Sequence, residues 1–474
     1  MAAGKVRAPS RGKAVLSPKA NGKLSTPVDP RSVGVEPKVL KDYEDAMVKM
    51  VKIGAIPGCA SVVFRKGQLL HSGSWGFADV EKGAPFGFDT YCRMYCATKS
   101  YVAVAFMRLV DEGLVRLEDR LDKYIPAFAH VLVMPEGSEK REKPKRPILL
   151  KHLLSHTSGI GYTPELGAEP EDAASAGYLK VLTAVLQGSI RSLKIFVEGL
   201  AKVPLLCHPG HKYNYSLSFD VLGRVLEVIT GKRLDLCLKE LVFRPLGMND
   251  TKWAVQNNEL DRLAAVYASP GSWKKLYGQV KGKVPSAPRK GLCRIDGNTA
   301  KESHWRDGQQ ISVLSGGGFM GYLYGGLVST VADTATFVQM LMRFGLKENG
   351  QRYLKKSSVV AMEKNRLKPA VDGDSKVCYL GNISVFREGS EYGMGGAACT
   401  YWCIDREDEI ASVWFTQHID MAEFGEMKGI DPKKADLWGA LHKAVLKGAK
   451  EAETAGAKRK RSTSSSTPSK RVKA

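Results

Sequence analysis

Between Arg93 and Pro126 the chain reads RMYCATKSYVAVAFMRLVDEGLVRLEDRLDKYIP. The apolar run from Cys96 to about Glu112 predicts a helix, with Gly113 placed to end it as a C-cap. Pro126 breaks the short helix that follows. Cys96 and Lys99 stand three residues apart at the helix start, and that spacing sets both side chains on one face. Unpaired amides at a helix N-terminus stabilise a thiolate or a developing oxyanion. A nearby ammonium favours the thiolate; a desolvated, neutral amine takes the proton instead. The plainer reading of the same residues is a small buried hydrophobe followed by a surface charge.

Outward from this helix, LLKHLLSHTSGI (150–160 and its preceding Leu149) is a short amphipathic helix stopped by Gly159. Farther on, Pro209-Gly210-His211-Lys212-Tyr213-Asn214-Tyr215-Ser216 is a turn leading into a helix with Val221, Leu222, Val225, Leu226 and Ile229 on one face, capped by Gly231. GCASVVFRKGQLLHSGSWGFAD, beginning at Gly58, reads as a hairpin turning at Lys66-Gly67. A second hairpin, GGAACTYWCIDREDEIASVWFTQ, turns at Asp405 to Asp408. The stretch from 270 to 310 lacks periodicity and reads as a polar surface excursion, and 134–147 as a charged loop. Strands at both ends around a helical middle predict an α/β (α+β) domain. Its antiparallel sheet joins N- and C-terminal segments, with a helical subdomain inserted at roughly 115–330.

The domain is expected over 38–430, after a disordered basic arm at 1–37 and before a short helix at 431–450 and a disordered tail at 451–474. Of the formal charge of +22, residues 1–38 carry a net +6 and residues 440–474 a net +8. Such arms attract nucleic acid or acidic surfaces weakly, or serve simply as solvated tails. Lys458 to Arg461 also reads as a nuclear-localisation run, against a default cytoplasmic location and an organellar alternative from the basic N-terminus. No apolar segment is long enough to predict a membrane span. Nine scattered cysteines fit a reducing compartment rather than a disulfide framework. Cys92/Cys96 and Cys399/Cys403 have CxxxC spacing, but in periodic apolar sequence rather than on the tight turns of a zinc site. A Cys92–Cys96 redox pair is disfavoured by the distance between residues four apart on a helix. No metal or organic cofactor is implied.

The quoted stretch resembles the first motif region of the β-lactamase-related serine hydrolases: class C β-lactamases, D-alanyl-D-alanine carboxypeptidases, EstB-type esterases and LovD-type acyltransferases. The resemblance covers roughly Val39 to Gln417 and implies a β-lactamase/transpeptidase-like fold. Cys96 matches the nucleophilic serine and Lys99 the lysine three residues on. His156-Thr157-Ser158-Gly159 is similar to a structural helix-to-loop element of that family. The family's tyrosine after a PG turn matches Tyr215, with Tyr213 its rival by proximity. A phenol there relays a proton if a neighbouring cation lowers its pKa. Leu217 stands where lactamases commonly carry asparagine, which favours the esterase branch.

Met394-Gly395-Gly396-Ala397 is similar to the third motif, its glycines allowing a strand edge to pass close to substrate. Met394 offers no cation for a carboxylate, and Cys399 replaces a common glycine. The resemblance implies an oxyanion hole from the amides of Cys96 and Ala397, and a substrate site including Leu217, Met394, Gly395 and Gly396. The expected substrate is a small acyl ester or thioester. The alternative is a catalytically silent binding or scaffold protein of the same fold.

Overall fold

A computed structural model describes residues 24–135, 138, 140–162, 172–269, 292–296, 326–367, 378–380 and 391–419. Both hairpins read from the sequence form. Strands β1 (Gly58–Arg65) and β2 (Gln68–Asp79) pair antiparallel, and their turn places Lys66 and Gly67 at φ of 50° and 74°. Strands β9 (Thr400–Asp405) and β10 (Ile410–Phe415) make the other hairpin. The two hairpins join through β1 and β10, with Ala60 opposite Phe415 and Arg65 opposite Ile410. With β3 (Ala84–Pro85) and β8 (Glu391–Gly395) at the edges, the six strands run β3-β2-β1-β10-β9-β8. The sheet therefore closes the two ends of the domain on each other.

Every residue of β1 and β10 is buried, so both faces of the sheet are covered. Alternation divides them: Cys59, Val63, Ile410 and Trp414 join one core cluster, while Ala60, Val62, Ala411, Val413 and Phe415 join the other. Helix α1 (Pro37–Lys52) covers the first face with Leu40, Tyr43, Met47 and Met50, an apolar stripe at helical spacing. Its Pro37 occupies the first turn, where a missing N–H costs nothing. Helix α2 (Thr98–Asp111) belongs to the second cluster and is buried from Thr98 through Met107 without a break. A helix enclosed on all sides lies inside a domain rather than on it. The helical part expected at 115–330 comprises α3 (Leu150–Leu154), α4 (Ala173–Leu186), α5 (Leu193–Leu200), α6 (Ser218–Thr230), α7 (Leu234–Leu238) and α8 (Arg244–Leu246). After it, α9 (Val331–Met342) packs on the sheet and α10 (Lys356–Glu363) follows.

Two small sheets complete the described strands. One pairs β4 (Cys92–Arg93) with β7 (Val328–Ser329). The other contains β5 (Tyr267–Ala268), β6 (Cys293–Arg294) and β11 (His418–Ile419). Strand β6 corrects the reading of 270–310 as surface excursion throughout, since Leu292 and Cys293 are buried beside β5. Two residues are too few for periodicity to reveal. The N-terminal arm is also shorter than expected. Val28 donates its N–H to Leu69 O at 2.9 Å, Pro30–Val33 forms a 3-10 turn, and Val33 and Val35 enter the α1 core cluster. Three valines anchor to the core a segment that is otherwise largely exposed. Residues 1–23, the expected helix at 431–450 and the basic tail at 451–474 lie outside the described residues.

Candidate active site

The turn carrying Cys96 is fixed from several directions. Arg93 N–H donates to Gln417 Oε1 at 2.8 Å, and Met94 N–H to Leu327 O at 2.8 Å. Leu327 N–H donates in turn to Thr98 Oγ1 at 3.1 Å. Tyr95, buried immediately before the cysteine, has φ of 44°, a left-handed conformation uncommon for a bulky residue. The helix does not open at Cys96 as expected: Tyr95–Ala97 is a 3-10 turn and α2 starts at Thr98. A tight turn then a helix leaves Cys96 only partly buried at the head of an otherwise enclosed element.

Lys99 is fully enclosed, which overturns the plain reading of it as a surface charge. Its Nζ donates to the Tyr215 hydroxyl oxygen at 2.6 Å and lies 4.7 Å from the centroid of that ring. Burial lowers the pKa of the amine, while Cys96 and Asp220 pull the other way. A lowered value suits an amine that must accept a proton near neutral pH. For Tyr215 the expectation that a cation lowers its pKa fails. Burial foremost, then the charges of Cys96 and Tyr162, hold the phenol well above its ordinary range. Cys96 also acts on the proton affinity of both Lys99 and Tyr215. Thiol, amine and phenol therefore meet at one point, from residues 96, 99 and 215.

The loop presenting Tyr215 rests on the element after α3. His156, itself at φ of 51°, sets its ring 4.8 Å from that of Tyr215. Its Nδ1 accepts from Ser216 N–H at 3.2 Å, so the ring carries its proton on Nε2 when neutral. Ser158, Ser216 and Ser218 hydroxyls form a chain with spacings of 2.8 and 2.7 Å. His156 O accepts from Asn214 N–H at 2.8 Å, and Gly161 O from Leu217 N–H at 3.1 Å. Gly159 has φ of 84°, and a Cβ there would lie 2.1 Å from Cys207 O. Only glycine lets the two loops lie together. Tyr213 is 6.1 Å from His156 ring to ring, while the hydrogen bond to Lys99 belongs to Tyr215.

The third-motif segment docks on the same turn. Gly396 N–H donates to Thr400 O at 2.7 Å, and a Cβ on Gly396 would sit 2.2 Å from Met94 O. The close approach this glycine permits is thus to the backbone just before Cys96. Ala397 is exposed in the turn between β8 and β9, and Gly395 ends β8 partly exposed. Leu217 and Met394 are instead sealed in the core at 0% exposure, with no surface open to a ligand. Leu217 is the residue before α6 and packs inward, and alternation on β8 turns Met394 under the sheet. Sequence reasoning left out Asp220 and Tyr162. Asp220 lies buried in the first turn of α6 and acts on Lys99; Tyr162 has its ring 5.4 Å from Tyr215. Asp220 stands at the start of the helix after Tyr215, and its burial was the missing signal.

Cys92 lies on β4 rather than a helix, and burial drives its thiol pKa upward, which suits an inert core thiol. Among the described residues no three or more His, Cys, Asp or Glu gather as a metal site, and no helix is long and apolar enough to cross a membrane.

The beta-lactamase family model matches residues 43–428. Esterase EstB of Burkholderia gladioli is 32% identical over 51% of this chain and 58% of its own length. Monacolin J acid methylbutanoyltransferase of Aspergillus terreus is 28% identical over 48% of this chain and 54% of its own. Among solved structures, simvastatin synthase (LovD) from Aspergillus terreus superposes with a TM-score of 0.65 at 20% identity, covering 88% of this chain and 98% of that one.

Proposed function

The chain belongs to the beta-lactamase family, and on that premise we propose that it is an esterase-like enzyme that hydrolyses or transfers the acyl group of an ester or thioester through an acyl-Cys96 intermediate. Its relatives include an esterase and an acyltransferase. One observation carries the cysteine mechanism: Lys99 Nζ and the Tyr215 hydroxyl, 2.6 Å apart, both engage Cys96.

In the first half-reaction neutral Lys99 takes the Cys96 proton as the sulfur attacks the acyl carbon. The carbonyl oxygen becomes an oxyanion, held by the amides of Cys96 and the exposed Ala397 turn. Collapse breaks the bond to the leaving alkoxide or thiolate. Tyr215 gives it a proton and is reprotonated by the Lys99 ammonium, which returns the amine to its starting state. Water or an acceptor alcohol or amine then attacks the thioester by the reverse relay. A phenol whose pKa is raised donates rather than resting as phenolate, and an amine whose pKa is lowered accepts; the two directions match these roles.

The test is brief iodoacetamide treatment at neutral pH followed by peptide mapping. Cys207 is the fair standard, since it too is partly exposed, and burial raises its thiol pKa. Cys96 should alkylate first, and a p-nitrophenyl ester should leave one acyl group on wild type and none on Cys96→Ala. Alkylation of Cys96 no faster than Cys207 removes the activated-thiol reading.

A further inference from the structure

Beside the catalytic residues is an open cavity of about 700 Å³ whose walls the acyl mechanism does not use. Its lining includes Arg146, Lys151, His152, His211, Lys212 and Arg366, and among the described residues no carboxylate. Two of its walls are tied to the site already described. Gly210, His211 and Lys212 precede Tyr215 on one loop, and Gly210 N–H donates to Thr157 O at 2.6 Å. Opposite, Tyr379 is followed by Leu380, whose carbonyl accepts from Ser100 Oγ at 3.1 Å, one residue past Lys99.

Of these side chains Arg366 is held in a fixed orientation, whereas Arg146, His211 and Lys212 are exposed. Arg366 stacks its guanidinium 4.0 Å over the Tyr379 ring, which fixes the plane of the fork, and one end of that fork donates to Ala361 O. Its Nε is buried with no hydrogen-bond partner among the described residues. Neither Arg146 nor Arg366 forms an ion pair with a carboxylate among the described residues, whereas Lys151 has only the exposed Glu118 at 3.6 Å. His152 Nδ1 accepts from Leu149 N–H at 3.2 Å, so its proton sits on Nε2, beside Gly210. Burial foremost, with Lys151 and Arg146 adding their charge, lowers the His152 pKa to about 4, so its ring is neutral near pH 7. Ser155 and Thr157, whose hydroxyls are 2.9 Å apart, add neutral polar groups to the wall.

We propose that this cavity is a binding site for a phosphate or diphosphate group. Two guanidinium forks match tetrahedral oxyanions in geometry as well as charge. Cations that line one cavity with no carboxylate among its described lining residues suit a ligand of more than one negative charge. The volume admits a diphosphate with part of whatever carries it. That carrier is either the acyl substrate itself or a separate phosphate compound seated beside the catalytic loop.

The experiment is calorimetric titration of the full chain with inorganic pyrophosphate, at low and moderate salt. The chain's +22 charge makes a charge-matched control essential. Arg146→Gln/Arg366→Gln should weaken pyrophosphate binding by about tenfold or more, as loss of charge-assisted hydrogen bonds implies. Lys49→Gln/Lys194→Gln removes the same two charges elsewhere and should leave binding nearly intact. Absence of millimolar binding, or equal weakening by both double variants, overturns the site. The readout needs no turnover, so it stands or falls apart from the acyl-cysteine mechanism. To assign the carrier, thioesters of one acyl group are compared with and without a phosphate on the thiol portion. Loss of kcat/KM for the phosphorylated thioester alone in the arginine variant puts the phosphate on the substrate. An equal response to both thioesters, with pyrophosphate binding still arginine-dependent, makes the ligand a separate phosphate compound.

Discussion

Tyr215→Phe isolates the relay with little other disturbance. The substitution removes one oxygen, 2.6 Å from Lys99 Nζ, and keeps the ring that lies 4.8 Å from His156 and 5.4 Å from Tyr162. It also keeps a ring face 4.7 Å from the amine. The stability cost is that of one buried hydrogen bond, about 1–3 kcal/mol. The kinetic cost is that of a general acid, about 10²–10⁴ in kcat, or roughly 2.7–5.4 kcal/mol of barrier. Because Lys99 remains to deprotonate the sulfur, iodoacetamide alkylation of Cys96 should slow far less than ester turnover. The assay pairs steady-state hydrolysis of p-nitrophenyl esters of short and long acyl chains with the alkylation rate and a urea midpoint. A variant that folds normally and keeps kcat within about threefold of wild type refutes proton delivery by this phenol.

Turnover should fall as pH drops through the Lys99 pKa, which burial sets below the usual lysine range, because the protonated amine can no longer accept from Cys96; a pH–rate profile that shows no such limb opposes the assignment. The same depressed value means that the unfolded chain binds more protons between the folded and unfolded pKa values, so this residue's contribution to stability rises with pH across that window, and Lys99→Met should abolish the rise in chemical-denaturation curves while eliminating turnover. His152 and His418, held by burial at about 4 and about 3 against an ordinary 6.5, are proton-poor in the fold, so stability should decline as pH falls from about 6.5 toward 4, and His418→Gln should lessen that decline in urea titrations. Gly396→Ala would place a Cβ 2.2 Å from Met94 O, forcing backbone to shift at the Cys96 turn; kcat should drop at least about tenfold with the urea midpoint lowered, and an unchanged enzyme would contradict the tight docking seen there.

Several elements of this molecule were legible in the linear chain. A Val-rich strand before the turn at Lys66-Gly67 and two apolar runs around the turn at Asp405 to Asp408 specify hairpins, and the two hairpins are those observed. The helix after Cys96 and the one after Tyr215 follow from apolar spacing and their glycine ends. Local pattern does not reveal what covers an element. Lys99 looks like any helix-surface lysine until α2 is seen enclosed on all sides, and that enclosure lowers its pKa. Tyr215 looks adjustable by a cation until its burial proves the larger effect and raises its pKa. Leu217 and Met394 hold motif positions yet face inward, because the turn before α6 and the pleat of β8 fix their directions.

The sequence by itself determined the two hairpins, the main helices and the three-residue spacing between thiol and amine, since these depend on neighbours within a few residues. Only tertiary structure decided that residue 215 meets residues 96 and 99, that Asp220 and Tyr162 stand beside them, and that six basic side chains surround one cavity. Desolvation and long-range contact are properties of packing, and packing joins segments more than a hundred residues apart.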